Sequence, residues 1–249
     1  MTNTRYIYCQ LQGKGGAGKS FLTYLFGLKH YRDESSLFID ADFNSKTSST
    51  QNLRFIPLKK DILLPQKDRE RVVFFNILDE QKNIAREKFM TMLTRFGENL
   101  FTNERVFIDF GTLESDQFLE LFITLFEPGE LHELEKEFNL KFIFQVVVAG
   151  NTNYLSCKTY LEKVQQIFGE HHDILIYPNL EKFNSSDKQL EQLKAYAQRF
   201  KLPCKPFGDF GKGSETETDV RLMMQQGKHL DDFPDMITQW LVEQEIQNL

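Results

Sequence analysis

Within residues 11–20, LQGKGGAGKS, two lysines are set among four glycines, followed by a hydroxyl side chain. Residues of these types at this spacing can hold a chain of phosphates. The pattern Gly13-x4-Gly18-Lys19-Ser20 fits a phosphate-binding loop, in which glycines let backbone N–H groups turn inward around phosphate oxygens. The helix that follows adds the partial positive charge of its N-terminus. In such a loop Lys19 bridges the β- and γ-phosphates and the Ser20 hydroxyl ligates Mg²⁺. Two further groups belong to the same chemistry. Asp40, with Asp42 two residues on, ends the apolar run 36–40, and Asp109 ends the apolar run 106–108. Acceptor-only oxygens placed there can orient an attacking water or hold a divalent ion beside a γ-phosphate.

Each of these groups needs an element to position it. Residues 6–11 read as a β-branched and aromatic strand running into the loop, and residues 19–31 as a helix with apolar positions at 21, 22, 25, 26 and 28. Residues 36–40 and 106–111 read as buried strands that deliver their aspartates at the C-terminal ends, where parallel α/β sheets place ligand-contacting groups. Between them, residues 43–76 show little pattern. Residues 77–96 have the spacing of an amphipathic helix stopped by Gly97. Further along, helices are expected over 115–126 and 128–140, a strand over 141–149, a helix ending at Phe168, and a strand over 173–177 leading into Pro178-Asn179. A helix over 184–200, an edge strand over 202–207 limited by Pro203 and Pro206, and a short helix over 219–226 complete the order. Near the C-terminus Phe233, Met236, Ile237, Trp240 and Leu241 recur at helical spacing, which reads as a packed helix. The fold class expected is α/β: a doubly wound, mostly parallel sheet with helices on both faces, as one nucleotide-binding domain over 1–249.

Lys14 adds a narrower resemblance. The string from Lys14 to Ser20 resembles the deviant Walker A sequence KGGxGK[ST] of the ParA/MinD family of ATPases, and Asp40-Ala41-Asp42 is similar to that family's DxD element. The resemblance implies ATP and Mg²⁺ as cofactors and a sandwich dimer in which Lys14 reaches the nucleotide of the other subunit. It implies catalytic roles for Lys14, Lys19 and Asp40, the last positioning the attacking water, and metal contacts from Ser20, Asp40 and Asp109. Nucleotide contacts fall on Gly13, Lys14, Gly15, Gly16, Ala17, Gly18, Lys19, Ser20 and Phe21. Asn179 matches the strand-end asparagine whose amide reads adenine, and residues 208–214 the segment that covers the base. This sequence departs from the family in having Phe43-Asn44-Ser45 after the second aspartate and in lacking the Asn-Arg pair. Looser similarity points to the plasmid conjugation and stability branch, and so to a homodimer formed with ATP that engages DNA or a DNA-binding, relaxosome or partition partner protein. Other classes stay open: an ATP-dependent small-molecule ligase of the dethiobiotin synthetase-like type, or a module that binds nucleotide without hydrolysing it.

Composition sets the outer bounds. A chain of 249 residues with 41% hydrophobic and 27% charged content suits a globular α/β protein, and 24 phenylalanines imply a core rich in rings. The net charge of −6 speaks against a strongly basic nucleic-acid binder, though residues 188–212 hold six cations, Lys188, Lys194, Arg199, Lys201, Lys205 and Lys212, against Glu191 and Asp209. Three scattered cysteines, Cys9, Cys157 and Cys204, lack metal-ligand spacing and point to reduced thiols in a cytoplasmic protein. No apolar signal core opens the sequence and no run is long enough to span a membrane. Residues after Lys228 include Asp231, Asp232, Asp235, Glu243 and Glu245 but no Lys or Arg, so the C-terminal helix lacks the cations of a membrane-surface helix.

Overall fold

The computed structural model describes residues 4–42, 51–61, 65–81, 83–97, 104–124, 126–184 and 188–249. Residues 43–45, where the sequence departs from the family pattern, and the apolar run 62–64 lie outside that set. The described elements run β1 (Arg5–Leu11), α1 (Lys19–His30), β2 (Ser36–Asp40), α2 (Gln66–Arg69), β3 (Val72–Phe74), α3 (Arg86–Gly97), β4 (Arg105–Asp109), α4 (Thr112–Thr124), α5 (Pro128–Phe138), β5 (Leu140–Val148), α6 (Tyr154–Phe168), β6 (Asp173–Pro178), α7 (Lys188–Phe200), α8 (Glu215–Gln226) and α9 (Met236–Asn248). The strands form one six-stranded sheet in the order β3-β2-β4-β1-β5-β6, and every pairing in it is parallel. Parallel strands covered on both faces must be apolar nearly throughout, which is why β2, with all five residues buried, carries its only charge at its last position.

Register divides the sheet into two aromatic layers. On one face Tyr8 and Phe38 stack on Phe107 at 4.9 and 5.0 Å, and Phe26 of α1 lies 5.0 Å from the same ring. On the other, Phe144 meets Phe168 of α6 at 4.1 Å, and Phe118 and Phe122 of α4 pack edge-on at 5.1 Å. The expectation of a ring-rich core is met in these two layers. Further along the first face the registers Asp40↔Asp109, Gln10↔Asp109 and Gln10↔Gln145 set four polar side chains in a row across β2, β4, β1 and β5. All four are buried, close to the strand ends from which the loop 13–18 departs.

The departures from sequence expectation have local causes. Residues 77–81 and 83–85 are not helical. Asp79 Oδ1 accepts the N–H groups of Gln81 and Asn83, Asn76 Oδ1 accepts that of Leu78, and a bridge joins Leu78 to Ile84, so α3 starts only at Arg86. Side-chain competition for backbone donors of this kind favours turns over helix. Ile77, Leu78 and Ile84 are buried all the same, which accounts for the periodicity. Residues 202–207 form no continuous strand: Cys204 and Phe207 bridge to Ile176 and Asn179, but Pro203 and Pro206 have no N–H to give. β3, inside the stretch that showed little pattern, is held on β2 by three register pairs. The C-terminal helix is packed as expected, but of the two places open to Trp240, the core or a contact with a second copy, it does not take the first. Phe233 is buried, yet α9 packs through Thr238 and Val242, leaving Met236, Ile237 and Trp240 exposed at 82%, 70% and 57%.

Candidate functional site

β1 ends at Leu11 and α1 begins at Lys19, and the loop between them is fixed from below. Gln12 donates from Nε2 to the Val147 carbonyl at 2.7 Å, and its Oε1 accepts the Lys14 N–H at 3.2 Å. The Gln12 N–H in turn reaches Ser115 Oγ of α4 at 3.2 Å. Gly18 sits at φ +112°, a conformation costly for any side-chain-bearing residue, and a Cβ there would run into the Asn179 amide. A Cβ at Gly13 would run into Asp116 Oδ1. The loop is thus held rigid with its backbone close to two neighbours.

Its two lysines have opposite fates. Lys19 is 8% exposed, and its Nζ donates to the Gln12 carbonyl at 2.9 Å, curled inside the loop. Burial pulls its pKa down, opposed by Asp109 and Asp42 and, more weakly, Cys157 and Asp116. Lys14 stands exposed on the outer side of the same loop. α1, with Gly18 at its N-cap, begins with no side-chain cap and no acidic residue in its first turn, so its own first turn supplies no side chain for the leading N–H groups. An anion can take that place.

Asp40 and Asp109 come together as neighbours in register on β2 and β4, both buried. Asp40 Oδ1 accepts the N–H of Asp42 at 3.0 Å, which turns the chain so that Asp42 passes over Gly111, closer than a Cβ built there would allow. Ser20 lies in the first turn of α1, partly exposed. A hydroxyl and carboxylates are hard oxygen donors, the set that suits Mg²⁺. Among the described residues no three His, Cys, Asp or Glu side chains converge as a metal cage. Phe21, carried over as a nucleotide contact, is 4% exposed, with its ring 6.0 Å from Phe207 and 6.1 Å from Phe210. Asn179 is buried under the loop, its Nδ2 donating to the Ala17 carbonyl at 2.9 Å. That bond braces the loop.

Beside α1 a cavity of about 410 Å³ opens between the turn 180–184, Leu190 of α7, the loop 208–212 and Glu217 of α8. The loop expected to cover a base is therefore one wall of an open space. Sequence reasoning passed over Gln12, Asp116 and Glu181. For Gln12 the signal was adjacency to the motif; Asp116 and Glu181 carry no sequence mark.

No family model and no curated protein matches the sequence. Solved structures match its fold over nearly the whole chain. The MinD cell division protein of Aquifex aeolicus aligns with a TM-score of 0.54 at 13% identity, covering 98% of this chain and 94% of that one. An ATP complex of a Cyanothece McdA variant aligns with a TM-score of 0.55 at 15% identity, covering 99% and 98%. A plasmid partition protein of Borrelia burgdorferi aligns at 0.52 and 12% identity, covering 90% and 97%. The fold is that of the MinD-like P-loop nucleoside triphosphatases.

Proposed function

We propose that this chain is an ATPase of the ParA/MinD type, a switch that closes face to face with a second copy over two ATP molecules and opens after hydrolysis. The observation that carries the reading is the divergence of the two loop lysines. One is folded into its own loop and the other presented outward, where a neighbouring subunit's phosphates could meet it. Lys19 and the α1 N-terminus hold the phosphates of the chain's own nucleotide, Ser20 and Asp109 face its Mg²⁺, and Asp40 orients the water. The γ-phosphate makes contacts only in the closed state, which is what lets it shift the population between two forms. The fold is shared with a structure solved with ATP and with a MinD solved in complex with MinC, which supports both a nucleotide and a protein partner.

The process served would be plasmid partition, stability or conjugative transfer, through DNA or a DNA-bound partner protein. Lys188, Lys194, Arg199 and Lys201 stand exposed on or next to α7, with Lys194 paired to Glu191 at 2.9 Å. That surface would meet phosphates of a duplex, in a contact that salt weakens. No helix among the described residues is long and apolar enough to cross a membrane. The test is light scattering of the protein with Mg²⁺ and ADP or a non-hydrolysable ATP analogue, with and without duplex DNA. The analogue should double the mass, Lys14→Ala should prevent the doubling while nucleotide still binds, and DNA should associate only with the larger species. A mass that never changes refutes the switch.

A further inference from the structure

The cavity beside α1 holds one polar atom that the rest of the fold leaves unanswered. Glu181 lines it with a side chain only 2% exposed. One carboxylate oxygen, Oε2, receives the Arg221 guanidinium, which also lies 3.6 Å from Glu217 Oε1. The other, Oε1, is buried with no donor among the described residues. A buried acceptor without a donor costs on the order of 1–3 kcal/mol; Asn179 Oδ1, 3.2 Å from a Cβ built at Gly208, is a second such acceptor beside the same loop. Leu180, Phe183, Leu190 and Phe210 supply apolar walls for a flat ring. Gly208 ties the space to the phosphate loop: a Cβ there would lie 3.2 Å from Phe21 Cε1 in the first turn of α1 and 3.5 Å from Glu181 Cγ.

We propose that Glu181 is the residue that selects adenine, its Oε1 accepting a hydrogen bond from the 6-amino group of a purine seated in this cavity. The inference rests on the nucleotide-binding reading above and extends it to the base. Arg221 leaves one oxygen free, so the carboxylate can answer a single donor. A guanine edge brings two, N1–H and the 2-amino group, and needs both oxygens. A 6-oxo group would set an acceptor against the carboxylate, which a site built to receive a donor rejects strongly. Burial raises the Glu181 pKa, and the Arg221 guanidinium works against that rise.

The experiment is calorimetric titration of the full chain with the Mg²⁺ complexes of ATP, ITP, GTP and purine riboside triphosphate, which lacks the 6-amino group. Wild type should bind ATP about tenfold to a hundredfold more tightly than each of the others, the range of a hydrogen bond to a charged group. In Glu181→Gln the carboxamide can donate to a 6-oxo group, and the ATP-to-ITP ratio should fall to within about threefold of unity. If that variant does not fold, as judged by circular dichroism, the wild-type comparison of ATP with purine riboside triphosphate decides alone. Equal binding of ATP and the desamino analogue, a ratio that Glu181→Gln leaves unchanged, or GTP bound as tightly as ATP would overturn the assignment. Absence of any triphosphate binding, or binding that survives Lys19→Met, would instead overturn the phosphate-loop reading on which it rests.

Discussion

Replacing Lys19 with methionine separates what this side chain does for the fold from what it does for a ligand. The ammonium is almost wholly buried and donates to the Gln12 carbonyl, with Asp109 and Asp42 nearby. Methionine has similar length, removes the several kcal/mol cost of desolvating a charge, and leaves the Gln12 carbonyl without that donor at about 1–3 kcal/mol. These effects oppose one another, so the net change should be within about 1 kcal/mol, a melting shift of no more than roughly 4 °C for a chain of this size. With nucleotide bound the account is one-sided. Contacts from Lys19 to two phosphates, at about 1.5–3 kcal/mol each, place the loss of affinity at roughly a hundredfold or more. Thermal denaturation with and without Mg²⁺ and ATP reads both quantities in one experiment. The ligand-free curves of wild type and Lys19→Met should nearly coincide, and only wild type should shift upward with ATP. A variant that keeps most of the upward shift refutes the phosphate role. One that melts far lower without ligand shows instead that the lysine is structural.

Three further outcomes follow from other parts of the fold. Asp40→Ala should slow ATP turnover and prolong the doubled mass seen by light scattering; unchanged turnover would assign the water to another group, Asp42 being the nearest alternative. Arg71, 1% exposed, donates to the carbonyls of His30, Tyr31, Asp33 and Ser36 and so closes the C-terminus of α1 onto β2. Arg71→Leu strips donors from all four, and a loss of about 3 kcal/mol or more, with melting roughly 10 °C lower, is expected from denaturation. Burial lowers the His30 pKa to about 4 although Asp33, 3.6 Å away, pulls the other way. The unfolded chain takes up that proton at its ordinary, higher pKa, so stability is full above about pH 6.5 and declines as pH falls toward 4, by up to about 2–3 kcal/mol. His30→Phe, which keeps a ring near Phe26 and Phe107, should flatten the urea midpoint over that window; an unaltered slope would place the acid sensitivity elsewhere.

How much of this was legible in the sequence depends on whether a signal was local. Asp40 and Asp109 could be found because a parallel strand is apolar until it ends, and a lone carboxylate at that point stands out. The loop 13–20 was legible because its backbone demands glycine where the chain must turn. Residues 77–85 deceived, since buried Ile77, Leu78 and Ile84 mimic helical spacing while Asp79 and Asn76 cap a turn. Glu181 reads as a surface residue in a turn; its burial depends on Arg221 in α8, forty positions away. Helical periodicity at Met236, Ile237 and Trp240 revealed an apolar stripe but not which side of α9 meets the core, because that is set by Thr238 and Val242 fitting against the rest of the fold. In the same way Asn179 could be placed at a strand end, but its bond to Ala17 required the loop itself to be seen.

The outward position of Trp240 gives the molecule an optical handle. It is the chain's single tryptophan, and 57% of its surface faces water. Emission from one solvated indole has one origin, so a wavelength shift or a change in quencher access would report events at α9 alone, free of background from a second chromophore of its kind. Assembly, disassembly or capture by another macromolecule at that helix could be timed in a stopped-flow mixer without attaching a dye.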